Sequence, residues 1–220
     1  MFTDPSSPNL ADFYAYCLSS GVPAADLPSG SLTTVTIDTS GNISAVSTSG
    51  TISSGEVLSG VDIPDGTYLT AWNTTSGTVS PAPVVAVSTA SASAYSVYAA
   101  WALNYALQVA ISGSGIGGLP GFAGQYVIAV YNLGVHQLLM IAQDLPNQDF
   151  FTQARTKYDL NSLVPGPVLA SGDQATSETL VVTEFFKNLT LSEINLIQTP
   201  FGRRYLGYAQ MYGPTIVGFS

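Results

Sequence analysis

A histidine-based acid or base in this chain has one candidate, His136, because it is the only histidine. It falls in the middle of an apolar run, Phe122 to Asp144. A buried, hydrogen-bonded imidazole is the expected role there, not a catalyst. One histidine and one cysteine supply no zinc-type cluster, and the carboxylates show no ligand spacing. Gly113-Ser-Gly-Ile-Gly-Gly118 matches G-x-G-x-x-G. A dinucleotide site needs a strand before that motif and a helix straight after it, so that the helix N-terminus meets the pyrophosphate. Here a helical pattern precedes it and Leu119-Pro120 follows, so it reads as a loop between helices. Asp62 and Asp65 flank Ile63-Pro64 in a turn, where acids usually bond local backbone. No G-x-S-x-G nucleophile elbow occurs. Cys17 has no partner for an internal disulfide and lies on an apolar helical stripe, as a small core residue would. These residues predict a protein that is not an enzyme, with no catalytic, cofactor-binding or metal-binding residues.

The elements that would carry these residues divide into three regions: 1–30, 31–90 and 91–220. In the first, Leu10, Phe13, Tyr14, Cys17 and Leu18 fall on one helical face, with Asn9 as cap and Gly21 and Pro23 as stop. The second is rich in Ser, Thr, Val and Gly. It predicts strands at Leu32–Ile37, Asn42–Ser47, Glu56–Leu58, Thr67–Trp72 and Val84–Val87, with Pro64-Asp65-Gly66 as a strong turn. The Ser-Thr-Ala-Ser-Ala-Ser run at 88–93 reads as a junction. The third predicts helices over Ala94–Ile111, Phe122–Asp144 and Phe150–Tyr158, a loop from Leu160 to Asp173 and an extended arm near Thr176–Val182. Thr190-Leu-Ser-Glu193 is a capping box opening another helix, and Pro200 starts a final one that Gly213-Pro214 stops. The expected fold is α+β: a mostly helical bundle with an inserted small β-barrel or β-sandwich.

Charge bounds the function further. Charged residues make up 9% of the chain, against roughly 25% in an ordinary soluble domain. Residues 66–143 carry no charge, and all five basic residues (Arg155, Lys157, Lys187, Arg203 and Arg204) lie in the last third. A net charge of −9 opposes nucleic-acid binding but lets DNA pass without sticking. A surface short of charge invites association, and copies of the chain are the expected partners. Tyrosines favour meeting surfaces. The last helix therefore supplies the expected subunit contacts: Arg203, Arg204, Tyr205, Tyr208 and Tyr212. Phe122–Ala142 has the length of a membrane span, but its polar residues and missing basic flanks predict buried helices instead. No signal peptide opens the sequence, so the sequons at Asn42, Asn73 and Asn188 carry no expectation.

Three groups of residues go further. Gly50-Thr-Ile-Ser-Ser-Gly-Glu-Val-Leu-Ser-Gly-Val-Asp-Ile-Pro-Asp-Gly-Thr67 resembles a segment that recurs in tailed-bacteriophage structural proteins. Tyr126–Gly134, Ala175–Val182 and Thr199–Pro214 resemble runs in virion proteins placed at the head–tail neck. The resemblance implies a connector or adaptor subunit: a ring around the DNA path, contacting portal and tail or other neck proteins, located in the virion and assembled in the host cytoplasm. Other virion parts (a tail terminator, a baseplate or a capsid-decorating protein) suit the β region equally. A surface ligand-binding module is the rival of a different class.

Overall fold

In the computed structural model, residues 7–113, 123–161, 170–172, 177–179 and 191–212 are described. The chain begins with helix α1 (Leu10–Ser19). Asn9 caps it, its side-chain oxygen accepting from the Asp12 N–H at 2.9 Å. Six strands follow: β1 (Ser29–Ile37), β2 (Asn42–Gly50), β3 (Val57–Gly60), β4 (Tyr68–Asn73), β5 (Ser76–Ser80) and β6 (Val87–Tyr95). They close into an antiparallel barrel in the order β1-β2-β5-β4-β3-β6. Closure leaves no unpaired sheet edge.

The barrel's exterior is hydrated by hydroxyls instead of charge. Ser31 pairs with Ser49, Thr33 with Ser47 and Thr36 with Ser44 across β1 and β2, at 2.6–2.7 Å. Thr70 and Thr78 do the same across β4 and β5. The interior is filled by Leu32, Val35, Ile37, Ile43, Leu58, Leu69 and their neighbours.

One irregularity shapes the barrel. Thr34 has φ of +48°, and the β1–β2 and β1–β6 ladders omit it together with the residues opposite, Val46 and Ala90. On one side of this row the buried residues are odd-numbered: Val35, Ile37, Ile43 and Val87. On the other they are even-numbered: Leu32, Ala92 and Ala94. Strand side chains alternate with period two, so three neighbouring strands exchange their inner and outer faces at one level.

Six helices are described. After α1 come α2 (Val97–Gly113), α3 (Ala123–Ile141), α4 (Phe150–Lys157), α5 (Leu191–Gln198) and α6 (Pro200–Tyr212). A two-stranded ribbon, β7 (Ala170–Gly172) with β8 (Ser177–Thr179), lies between α4 and α5. The helices share a second core, with Phe13, Cys17, Val130, Tyr131, Leu138 and Phe151 at or near zero exposure. Tyr131 ties α1 down: its hydroxyl accepts from the Asn9 N–H and donates to the Asn9 carbonyl. Tyr14 joins α1 to the barrel, donating to the Leu27 carbonyl and stacking tilted on Tyr95 at 5.3 Å.

The α+β class and the inserted barrel are as expected, and three details differ. Helices hold fewer than half of the described residues, beside a closed six-stranded barrel, so a mostly helical bundle is not what the described residues form. The barrel runs Ser29–Tyr95, and the small-residue run at 88–93 is the middle of β6, not a junction. Val84 and Val85, expected in a strand, are 95% and 74% exposed in the connection before β6. Pro81 and Pro83 lack the N–H groups a ladder needs. The Leu160–Asp173 loop contains β7, and β8 falls within the expected arm. Gly113 closes α2, and Ser114–Gly118 lie outside the described residues, as does Thr190 of the capping box.

Candidate functional site: assembly surfaces

The last helix separates into a buried and an exposed side. Tyr205 is 4% exposed and Leu206 6%, both in the core of the helical part. Tyr205 is therefore not a surface contact, which corrects its expected role: the helical spacing that puts it in line with Tyr208 also turns it toward α3. Tyr208 is half-buried against the same core. The Tyr212 side chain lies outside the described residues. Arg203 and Arg204 are exposed. Arg203 donates to the Ile197 carbonyl at 3.3 Å. Arg204 stands beside the Tyr16 hydroxyl; burial raises that phenol's pKa, and the guanidinium's charge and hydrogen bond partly offset the rise. Met211, 70% exposed, ends the outer side.

Helix α2 carries a second surface. Trp101 and Tyr105 are one turn apart and both exposed, at 57% and 43%. Tyr98 meets Trp101 edge-on at 5.8 Å. Val97–Gly113 contains no charged residue, so this face offers aromatic rings with the exposed Asn104 and Gln108 and no charge. Exposed Ile128 on α3 adds to the apolar surface of the helical pair.

Two of the concavities on the described surface offer room for a ligand or a partner. One, about 790 Å³ and wide open, lies on the barrel wall and is lined by Asp38, Asn42, Trp72, Asn73 and the Thr36–Ser44 pair, among others. The Asp38 carboxylate is consumed locally, accepting from the Ser40 and Asn42 N–H groups and the Asn42 amide. These bonds, the Asn42 amide first, lower its pKa. The second is a groove of about 420 Å³ between the end of α1 and helices α3, α4 and α6. Its floor is apolar, with Val22, Leu139 and Phe201, and its rim holds Gln153 and Lys157. Lys157 is exposed, with Nζ 5.5 Å from the centre of the Tyr158 ring.

Several described titratable groups are held within the fold. His136 is 4% exposed, and its Nδ1 shares a 2.8 Å hydrogen bond with the Thr199 hydroxyl, which also accepts from the Gly202 N–H. Burial lowers its pKa to about 4, so the ring is neutral. Burial likewise pushes the Cys17 thiol up, which keeps it unreactive. Arg155 donates to the Leu139 and Ala142 carbonyls and lies 3.9 Å from Asp144. Among the described residues no group of three or more His, Cys, Asp and Glu could hold a metal ion, and no helix is long and apolar enough to cross a membrane.

Two buried acids were not singled out in the sequence, Asp26 and Glu56. Asp26 is 5% exposed, with one carboxylate oxygen unpartnered among the described residues, and desolvation raises its pKa. Glu56 is 4% exposed, and among the described residues neither carboxylate oxygen has a hydrogen-bond partner. The register Val57↔Tyr95 places it beside Ser96, the residue before α2. It shares the inward face of Leu58. Desolvation pushes its pKa up to about 7, with only the nearby Ser53 backbone pulling the other way. The sole signal in the sequence is its position two residues before an inward leucine.

These surfaces offer contact area: an aromatic helix face, exposed valines in the connection before β6 and an apolar groove with a cationic rim. No family model, no curated protein and no solved structure matches the chain.

Proposed function

We propose that the chain is a structural subunit of a tailed-phage neck, assembling with copies of itself into a ring through which DNA passes. The observation that carries the assembly is the spread of large exposed apolar side chains over separate faces: Trp101 and Tyr105 on α2, Val84 and Val85 beside the barrel, and Met211 on α6. A monomer in water keeps such area small. Unlike patches on different faces suit heterologous contacts, which make rings when the rotation between copies closes. The neck assignment rests on the resemblance of residues 50–67 and of the runs between 126 and 214.

Charge supports the passage of DNA. The barrel contains no Lys or Arg. Of the cations, Arg155 is held against carbonyls and Asp144, Lys157 lies by an aromatic ring and Arg204 sits beside Tyr16. Basic groups facing phosphates would displace counterions and hold the duplex, with log affinity falling by about 0.9 per log unit of salt for each contact. An acidic or neutral wall lets DNA slide.

The test has two arms. Sedimentation of the purified chain reports the mass of its assembly, and a density map of the virion reports its place. A ring at the head–tail junction with no cation lining the lumen is the expected result. A chain located elsewhere in the particle, or absent from it, refutes the neck assignment. The barrel-wall concavity with Trp72 favours a second reading, a ligand-binding module. Quenching of Trp72 fluorescence by a small ligand, by a chain that never assembles, would favour that reading instead.

A further inference from the structure

We infer that the groove between α1, α3, α4 and α6 receives the Gly60–Gly66 turn of a second copy of this chain. The inference rests on the ring reading and names one of its contacts. The turn is built to be inserted. Val61 stands 72% exposed, with the exposed carboxylates of Asp62 and Asp65 close by in sequence. Beneath it Ile63 is 8% exposed and anchored in the barrel core. The Thr67 hydroxyl donates to the Pro64 carbonyl at 2.7 Å, and the Ile63 N–H donates to the Gly60 carbonyl at 3.3 Å. Asp62 is held at φ of +63°. A turn fixed this firmly loses little freedom on docking.

The groove offers the complement. Its floor of Val22, Leu139 and Phe201 accepts a branched aliphatic side chain, and Lys157 at its rim faces solvent. Charge selects the pairing. The barrel bears acids and no base, so a partner for Asp62 and Asp65 within this protein must come from the last third of the chain. Among the described cations, Lys157 borders this apolar concavity. Turn and groove belong to different parts of the chain, so each copy presents one and receives the other, and repeated around a ring the contact is heterologous.

The experiment uses the full chain and sedimentation equilibrium at low and high salt. Lys157→Glu and Asp65→Lys should each lower the association constant at least tenfold at low salt, since like charges then meet. Asp65 is chosen because a lysine at the positive φ of Asp62 would add strain. The double variant should regain most of the loss, and added salt should shrink all three differences. Val61→Ser should weaken association with little salt dependence. Circular dichroism checks that each variant folds. Assembly indifferent to both reversals, or a double variant no better than the singles, overturns this docking while leaving the ring and the neck assignment standing. A wild-type chain that stays monomeric at every concentration also overturns it. Coupling between positions 65 and 157 in a chain mapped away from the neck would uphold the docking and sink the neck assignment.

Discussion

Replacing Glu56 by Gln tests whether the barrel holds a carboxylic acid where water cannot reach it. The wild-type carboxyl titrates near 4.5 when unfolded and at about 7 when folded. Its folded pKa is raised, so the unfolded chain loses this proton first. Stability therefore falls as pH rises from about 4.5 to about 7 and stays low above that. At about 1.4 kcal/mol per pKa unit, the ceiling on this loss is about 3 kcal/mol; residual solvent screening brings the expected value nearer 2. Glutamine has the same shape and never ionises. Glu56→Gln should therefore match wild type at pH 4 and exceed it by about 2 kcal/mol at pH 8. The comparison must be made as a difference, because His136 opposes Glu56. Its folded pKa, about 4, is depressed from 6.5, so its contribution falls as pH drops through that interval. The two slopes largely cancel between 4.5 and 6.5 in the wild-type curve. Urea unfolding followed by tryptophan fluorescence is suitable: Trp72 lies in β4 and Trp101 in α2, so a Trp101→Phe background reports the barrel alone. A difference between Glu56→Gln and wild type that does not change with pH would refute the reasoning.

Gly134→Ala should destabilise the helical part by about 1–3 kcal/mol, because the new Cβ would stand 2.6 Å from the Phe13 ring packed against α3; thermal melting measures it, and Phe13→Leu should restore part of the loss. Thr199→Val removes the hydroxyl shared by His136 and the Gly202 N–H and leaves both buried groups unpaired, costing about 1–3 kcal/mol in chemical denaturation. Asn9→Ala should cost about 1 kcal/mol through the lost cap on α1; amide exchange in the first turn of that helix should quicken while the barrel is unchanged.

What the sequence could reveal depended on whether a local pattern survived into the fold. Helix α1 was legible because its apolar spacing, Asn9 cap and Gly21 stop all agree. The α5–α6 break was legible at Pro200, and the β3–β4 turn at Pro64-Asp65-Gly66. Strand β6 was not, because the barrel interior beside β1 and β3 admits little more than Ala92 and Ala94. A strand of small residues has no hydrophobic alternation to read. The face exchange at Thr34, Val46 and Ala90 breaks the period of two inside three strands, which hides it further. β5 is five residues with one buried apolar side chain, Val79. Among the expected contact residues, Arg203 and Arg204 were legible as surface. Tyr205 was not, since tyrosine spacing alone cannot say which side of a helix faces a neighbouring helix. The groove around Lys157 was illegible altogether, being assembled from four elements far apart in the sequence.

The register Ser29↔Tyr95 means that the barrel is entered and left at neighbouring points. Helices α1 and α2 belong to one core, yet everything from Ser20 to Ser96 separates them in sequence. With the β1–β6 ladder unformed, bringing them together means closing that whole length of chain, whose entropy cost grows with the logarithm of its length. Once the ladder zips, the two helices are tethered through a few residues on each side, and that closure is already complete. The order of events during folding is thereby biased: barrel first, then α1 onto α2 and α3. Deleting Ser29–Tyr95 and joining Pro28 to Ser96 would span only the ~5 Å between paired strands. The helices would then meet without waiting for the barrel.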